Sequence, residues 1–335
     1  MSAPFLESPR LPIVDISAAD ESADLRQHVA TQLDWALAEF GFFYLAGHGL
    51  DERALARLFE LSREFFAQDE SSKASIRMAL AGAAWRGWFP VGAELTAGQP
   101  DVKEGIYFGL DHGPEDPRVL AHVPMHGRNL YPALPGFAAA VQAHLRDSTA
   151  LGHRLMALMA LGLGESETSL RETFTADPTI LFRIFHYPAL ATPAGHNSQW
   201  SVGAHTDYGL LTILAQDDVG GLQVEYRGEW IDVPDIPGTF VCNAGDMLET
   251  LSGGRYVSAL HRVLNSSDRS RYSMPFFFDP SFDALLTPFA ARNATNRARN
   301  RARWDGRRLE DVRGTYGDYL LSKVGKVFPD LASAI

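Results

Sequence analysis

After Asp177 the chain breaks into short runs rich in Ile, Val, Phe, Tyr and Thr, at 180–187, 211–216, 221–226, 239–243, 257–264 and 271–278. Gly, Pro, Asn or Asp punctuates nearly every gap, as turns between neighbouring strands require. These runs are too short for amphipathic helices, and a β-strand buries only one face at a time. They can bury their apolar sides only by stacking or closing sheets, so this half of the chain is expected to form an antiparallel sandwich or barrel.

The preceding half reads differently. Leu25, Val29, Leu33, Leu37 and Phe40 recur at the three-to-four spacing of a helix over 24–40. Gly41 ends that pattern, and Phe42-Phe43-Tyr44-Leu45 reads as a short buried strand before the turn at Gly47-His48-Gly49. A second helix carries Leu55, Leu58, Phe59 and Phe65 on one face. Residues 81–132 are rich in Gly and Pro and read as loops and short strands, and a long helix follows from about Pro135 to Leu163. Beyond the strands, 292–308 holds seven arginines and reads as a solvated connection, and 315–328 reads as a helix. No linker separates independent units, so one domain is expected over 1–335. Within it, 10–132 forms a helical N-terminal lobe, 178–280 the all-β core, and 281–335 a C-terminal extension.

Composition narrows the functional classes. A net charge of −11 argues against a nucleic-acid binder. No apolar run is long enough for a membrane span, and MSAPFLESPR lacks the pattern of a secretory signal. The single cysteine, Cys242, sits in an expected buried strand; it rules out an internal disulfide framework and fits a cytoplasmic protein with an inert core thiol.

The densest chemical signal is Gly203-Ala204-His205-Thr206-Asp207. In extended chain, residues i and i+2 share a face, so His205 and Asp207 can offer an imidazole and a carboxylate to one metal ion. His261, in the run 257–264, is the best-placed third ligand. Two histidines and a carboxylate make a facial triad that leaves metal positions open for substrate and oxygen. Ten residues on, Arg271-Tyr272-Ser273 again puts i and i+2 on one face. A guanidinium fork beside a hydroxyl suits a carboxylate, and a buried strand arginine demands an anion. That anion is either a ligand or an Asp or Glu of this chain.

Around these residues the chain resembles the non-haem iron(II), 2-oxoglutarate-dependent dioxygenases of the isopenicillin N synthase-like family. The resemblance runs from Leu11-Pro12-Ile13-Val14-Asp15 and Gly41-Phe42-Phe43-Tyr44-Leu45 through Trp85-Arg86-Gly87-Trp88, Lys103-Glu104 and Gly127-Arg128-Asn129-Leu130-Tyr131-Pro132. It continues through Gly209-Leu210-Leu211-Thr212, Gly220-Gly221-Leu222-Gln223-Val224, Trp230 and Asn243-Ala244-Gly245-Asp246 to His261 and Arg271-x-Ser273. The resemblance implies a double-stranded β-helix (jelly roll) with a helical N-terminal lobe. It implies iron(II) on His205, Asp207 and His261, and 2-oxoglutarate with its distal carboxylate on Arg271 and Ser273. Tyr187 would hydrogen-bond the co-substrate or substrate, although Phe185-His186 departs from the common pattern before it. Dioxygen would be consumed, a small organic substrate oxidised at a C–H bond, and succinate and carbon dioxide released. Arg86 would face a substrate carboxylate, unless it is a surface arginine packed on tryptophan.

Other readings stay open at this level. Isopenicillin N synthase shares the triad and the Arg-x-Ser pair without using 2-oxoglutarate, and two histidines with a carboxylate also build catalytic zinc sites. A non-catalytic binding module is the third. His48 reads as a turn residue and Phe276-Phe277-Phe278 as core.

Overall fold

The computed structural model describes residues 10–96, 98–189, 200–287, 303, 309 and 312–328. In chain order the strands are β1 (Ile13–Asp15), β2 (Phe42–Ala46), β3 (Gly87–Phe89), β4 (Leu95–Thr96), β5 (Gln99–Pro100), β6 (Glu104–Gly109) and β7 (Pro178–Tyr187). They continue with β8 (Val202–His205), β9 (Leu211–Gln216), β10 (Leu222–Tyr226), β11 (Glu229–Asp232), β12 (Phe240–Ala244), β13 (His261–Val263) and β14 (Arg271–Ser281). An eight-stranded sheet runs β1-β2-β12-β9-β14-β7-β6-β3, and a four-stranded sheet runs β11-β10-β13-β8. The fold is a jelly roll with flanking helices, as expected.

Both long central strands alternate their two faces. On β7, Leu181, Arg183, Phe185 and Tyr187 look into a cavity, while Phe182 and Ile184 are fully buried behind them. On β14, Arg271, Ser273, Pro275, Phe277 and Asp279 line the same cavity, while Met274, Phe276 and Phe278 face the core. The period of two that defines a strand therefore puts Arg183, Arg271 and Asp279 in a mixed inner row and leaves a mainly apolar outer one. The main helices are α1 (Ala23–Glu39), α2 (Glu52–Phe66) and α3 (Phe137–Gly162), and the outer row of both strands packs on α3. Gly152 makes that close approach possible: a Cβ there would lie 2.2 Å from the Phe278 ring.

Helices end where their chemistry says they should. Ser22 caps α1 by accepting from the Leu25 amide, and Asp51 caps α2 through Arg53. The helix expected from Pro135 begins two residues later, because Gly136 takes a left-handed conformation (φ 83°) at its start. The C-terminal helix, Tyr316–Val327, opens on a reciprocal capping box between Thr315 and Asp318.

Two expectations need correction. The strand expected over 257–264 is only His261–Val263, since Val257 instead donates to Leu37 O (3.1 Å) and Ser258 is held by the Glu249 carboxylate. The region 81–132 holds short strands as expected, and two of them, β3 and the wholly buried β6, join the main sheet. Most of the arginine-rich stretch 292–308 lies outside the described residues; Arg303, which is described, is buried rather than solvated. Among the described residues no helix is long and apolar enough to cross a membrane.

Candidate metal centre and co-substrate pocket

His261 and His205 are direct cross-strand partners in the β13–β8 ladder, and their rings lie 4.2 Å apart. Asp207 follows β8 by two residues, so its carboxylate turns back beneath the pair. Its Oδ1 is 3.9 Å from His205 Nε2 and 3.6 Å from His261 Nε2. One ligand atom from each of the three residues fits within a 4.8 Å spread. Two atoms each bonded at about 2 Å to one dication are at most about 4 Å apart, and both carboxylate–imidazole distances meet that limit.

The surroundings fix which atom each residue presents. His205 Nδ1 lies 2.8 Å from Gly203 O, and His261 Nδ1 lies 3.2 Å from Ala259 O. Each contact, two residues back along the chain, requires the proton on Nδ1 and leaves the Nε2 lone pair aimed at Asp207. Burial, and then the neighbouring His261, push His205 down to about 3, so it is a neutral donor at physiological pH. For Asp207, burial favours the neutral acid. The opposing pull of His261 and His205 and the hydrogen bonds from Asn243 and Thr212 hold its carboxyl below the usual range. Both of those bonds fall on Oδ2, which leaves Oδ1 free. Two imidazoles presenting Nε2 and one carboxylate oxygen, pre-oriented and largely shielded from solvent, fit a divalent iron.

The same cavity, about 110 Å³, continues to Arg271, Ser273 and Tyr187. Arg271 is 1% exposed; its Nε donates to Gly220 O (2.7 Å) and Nη2 to Gln216 Oε1 (3.2 Å), and Nη1 has no partner. No Asp or Glu lies within 4.0 Å of this guanidinium among the described residues, so the internal salt bridge weighed from the sequence is not what holds it. Its side chain lies over the Tyr187 ring (4.8 Å), directly across the β14–β7 ladder, and Ser273 Oγ donates to the Tyr187 hydroxyl at 3.4 Å. A buried cation with an unsatisfied N–H beside two hydroxyls fits an incoming carboxylate.

Arg86 is not brought to this cavity. Left-handed Trp85 (φ 53°) and Gly87 (φ 113°) flank it, and its side chain runs beside Gly109, where a Cβ would sit 2.1 Å from Nη2. There it donates to Met125 O (2.9 Å) and lines a separate small cavity with His112, Arg118, His126 and Asp177. It is also 2% exposed, so the surface-arginine alternative fails too. Phe276 and Phe278 are core as expected, whereas Phe277 lines the metal cavity.

The residues that sequence reasoning missed line the same cavity. Arg183, in the same inward row as Tyr187, has Nη1 3.6 Å from Glu94 Oε1 and an unpartnered Nε; its guanidinium lies over the Tyr107 (4.2 Å) and Phe277 (4.8 Å) rings. Lys103 Nζ sits between Glu94 (2.9 Å) and Asp101. Glu94 also accepts from the Tyr107 hydroxyl, and Asp101 from Thr96 (2.8 Å). Burial, reinforced by Glu94 and opposed by Lys103, pushes Asp101 up to about 6.

Comparison with known proteins places this arrangement. The profile of the 2OG-Fe(II) oxygenase superfamily matches residues 178–280, and that of the non-haem dioxygenase in morphine synthesis N-terminal region matches 11–134. A probable iron/ascorbate oxidoreductase of Dictyostelium discoideum is 44% identical, with 97% of each chain covered. The homoarginine-6-hydroxylase 2-ODD-C23 of Glycine max is 37% identical, over 96% of this chain and 98% of that one. A full-length Neurospora crassa protein, solved in complex with alpha-KG (2-oxoglutarate), superposes with a TM-score of 0.79 at 25% identity, covering 94% of this chain and 96% of that one. The chain belongs to the 2OG-Fe(II) oxygenase superfamily and is an isopenicillin N synthase-like dioxygenase that uses iron(II), 2-oxoglutarate and dioxygen to oxidise a small organic substrate.

Proposed function

We propose that this enzyme hydroxylates a C–H bond of a small amino-acid-like substrate. In this reading His205, Asp207 and His261 hold the iron, and Arg271, Ser273 and Tyr187 hold the distal carboxylate of 2-oxoglutarate. The observation that carries it is the buried, unpartnered Nη1 of Arg271 opening into the cavity that also contains the three candidate ligands.

Together, bound iron and 2-oxoglutarate supply dioxygen activation, with succinate and carbon dioxide as by-products. The chain's own residues bind, orient and shield. Gly203 O and Ala259 O keep the two imidazoles in the ligating tautomer, and Asn243 and Thr212 hold Asp207 by one oxygen so that the other is available. Arg271 supplies charge and the Ser273–Tyr187 hydroxyl pair supplies direction, which sets the co-substrate's orientation in the cavity. Phe42, Leu214, Leu222 and Phe277 give the cavity an apolar lining that keeps water scarce.

Arg183 is the candidate anchor for a substrate carboxylate, and Glu94 for a cationic group on the same molecule. The wall has two cations and two carboxylates, so a substrate carrying both signs of charge, as an amino acid does, can enter without leaving net charge buried. The similarity to a homoarginine hydroxylase supports the same class. We also infer that the chain acts as one oxygenase domain, because the main sheet draws β1, β2, β3 and β6 from the N-terminal lobe. A cytoplasmic site of action is consistent with a lone, fully buried thiol at Cys242.

Asp207→Ala tests the metal assignment. It removes the only anionic ligand of the set, so iron affinity should fall by more than the roughly 10- to 100-fold that losing an outer hydrogen-bond partner costs. Succinate release should drop to background while the circular dichroism spectrum is kept. Wild-type iron occupancy and turnover in that variant would remove the assignment.

A further inference from the structure

We propose that Arg303, from the arginine-rich C-terminal stretch, is a positioning residue for the metal centre. By neutralising two buried carboxylates it holds together the backbone segments that carry Asp207 and His261. The inference rests on reading His205, Asp207 and His261 as the metal ligands.

The argument starts at the short helix Asp246–Leu251, which follows β12. Its first turn is stapled to the segment containing Asp207: Asp246 N donates to Asp207 O (2.8 Å), Met247 N to Gly209 O (3.0 Å), and Gly245 N to Leu210 O (2.9 Å). Its side chains reach the other way, to the segment leading into His261. Asp246 Oδ1 accepts from Ser258 Oγ (2.9 Å), and Glu249 Oε2 accepts from Ser258 N (2.8 Å). Ser258 is followed by Ala259, whose carbonyl orients the His261 imidazole. One turn of helix therefore ties Asp207 and His261 to a common support.

That support has an electrostatic problem of its own. Asp246 and Glu249 are one turn apart on the same helix face, 1% and 4% exposed. Two buried like charges at this spacing repel, and each is costly without a partner. Arg303 answers both: Nε lies 3.0 Å from Asp246 Oδ1 and Nη2 lies 2.9 Å from Glu249 Oε1, with the guanidinium as buried as its partners. The planar fork spans two carboxylates at once, a reach that a compact ammonium reproduces less well. Tyr319, on the C-terminal helix, adds a bond to Asp246 Oδ2 (3.1 Å). The C-terminal extension thus holds the support from outside while the ligands hang from it inside. Arg303 touches none of the ligands and acts only through Asp246 and Glu249.

The test titrates cobalt(II) into full-length, metal-free protein and follows affinity and the visible absorption of the bound ion. Arg303→Gln should weaken cobalt binding about tenfold or more and alter the absorption, in the range seen when an outer partner of a ligand is lost. Arg303→Lys should fall between that variant and wild type. Arg303→Gln combined with Glu249→Gln removes one charge of each sign and keeps an acceptor for Ser258, so it should recover most of the affinity. Arg26→Ala, which breaks the Arg26–Glu167 pair away from the segments that carry the ligands, controls for general destabilisation and should leave cobalt binding unchanged. Wild-type affinity and absorption in Arg303→Gln overturn the proposal, as does a folded double variant that binds cobalt tenfold more weakly than wild type. If Arg303→Gln does not fold, the lysine and double variants carry the same comparison. His205→Ala run alongside separates the two readings. If it keeps cobalt, the ligand assignment has failed; if it loses cobalt while Arg303→Gln does not, only the role of Arg303 has.

Discussion

At one end of the range of charge balance inside the cavity, Arg271 keeps a buried nitrogen without a hydrogen-bond partner, and no carboxylate lies within 4.0 Å of it among the described residues. At the other end of that range Lys103 and Arg183 are already met by Glu94 and Asp101, with only Arg183 Nε left without a hydrogen-bond partner. Both ends are polar and enclosed, yet one is electrically incomplete and the other is nearly balanced. An incomplete site gains its full interaction when an anion arrives, because nothing has to be displaced. A balanced site gains only the difference between the contact made and the contact given up. The first arrangement suits a co-substrate bound in every cycle. The second suits a substrate chosen among many similar molecules, where a wrong charge pattern leaves buried groups unpaired.

The largest effects should therefore appear at the incomplete end. Ser273→Ala removes one hydrogen bond to a charged group, about 1.5–3 kcal/mol, or roughly 10- to 150-fold in 2-oxoglutarate affinity. Arg271→Lys keeps the charge but loses the fork and should cost at least as much. Anaerobic calorimetry of the iron-loaded proteins checks both, and iron binding itself should not change. Unaltered 2-oxoglutarate affinity in both variants would mean that the orphaned guanidinium has another purpose.

At the balanced end the same kind of deletion should do less. Arg183→Met keeps length and apolar contact with Tyr107 and Phe277 but removes the cation. Since Arg183 must loosen its 3.6 Å contact with Glu94 to receive a carboxylate, the low end of the charged hydrogen-bond range applies. The Michaelis constant for an amino-acid substrate should rise about tenfold, with 2-oxoglutarate affinity unchanged. A variant that loses 2-oxoglutarate binding instead would erase the distinction between the two ends.

The sequence made one end of this comparison readable and hid the other. His205, Asp207, Arg271 and Ser273 came from the two-residue period of strands, and the ladders pair His261 with His205 and Arg271 with Tyr187. Arg183 obeys the same period: it lies four residues before Tyr187 on the same face, so placing Tyr187 inward implied Arg183 as well. It was overlooked because a lone charge in Leu181-Phe182-Arg183-Ile184 looks like an interruption of a core strand. Glu94, Asp101 and Lys103 had no such signal, since they come from a region with weak periodicity whose β4–β5 hairpin is two residues long on each side. Arg86 was misplaced because its position depends on a left-handed tryptophan, a conformation few non-glycine residues adopt. The helix carrying Asp246 and Glu249 is a six-residue element, too short to leave a periodic trace.

The smallest effect concerns the balance itself. Asp101 has its carboxyl pushed up to about 6, first by burial and then by Glu94, against the pull of Lys103. Above that pH it is ionised, and the wall's two cations meet two carboxylates. As pH falls through about 6 it takes up a proton, and Lys103 and Arg183 face Glu94 alone, so the wall becomes net positive. A substrate carboxylate should then be held more tightly, and the Michaelis constant should fall as pH is lowered, the opposite of the trend expected if acid simply damaged the site. The added charge acts through Lys103 rather than at the carboxylate, so the change should be about 1 kcal/mol or less, no more than roughly fivefold. Asp101→Asn fixes the neutral form while leaving an acceptor for Lys103. It should show the low-pH Michaelis constant at every pH, with the inflection gone. Identical pH profiles in wild type and Asp101→Asn would mean that the wall's balance is indifferent to Asp101, and the substrate would then be read by Arg183 and Glu94 without it.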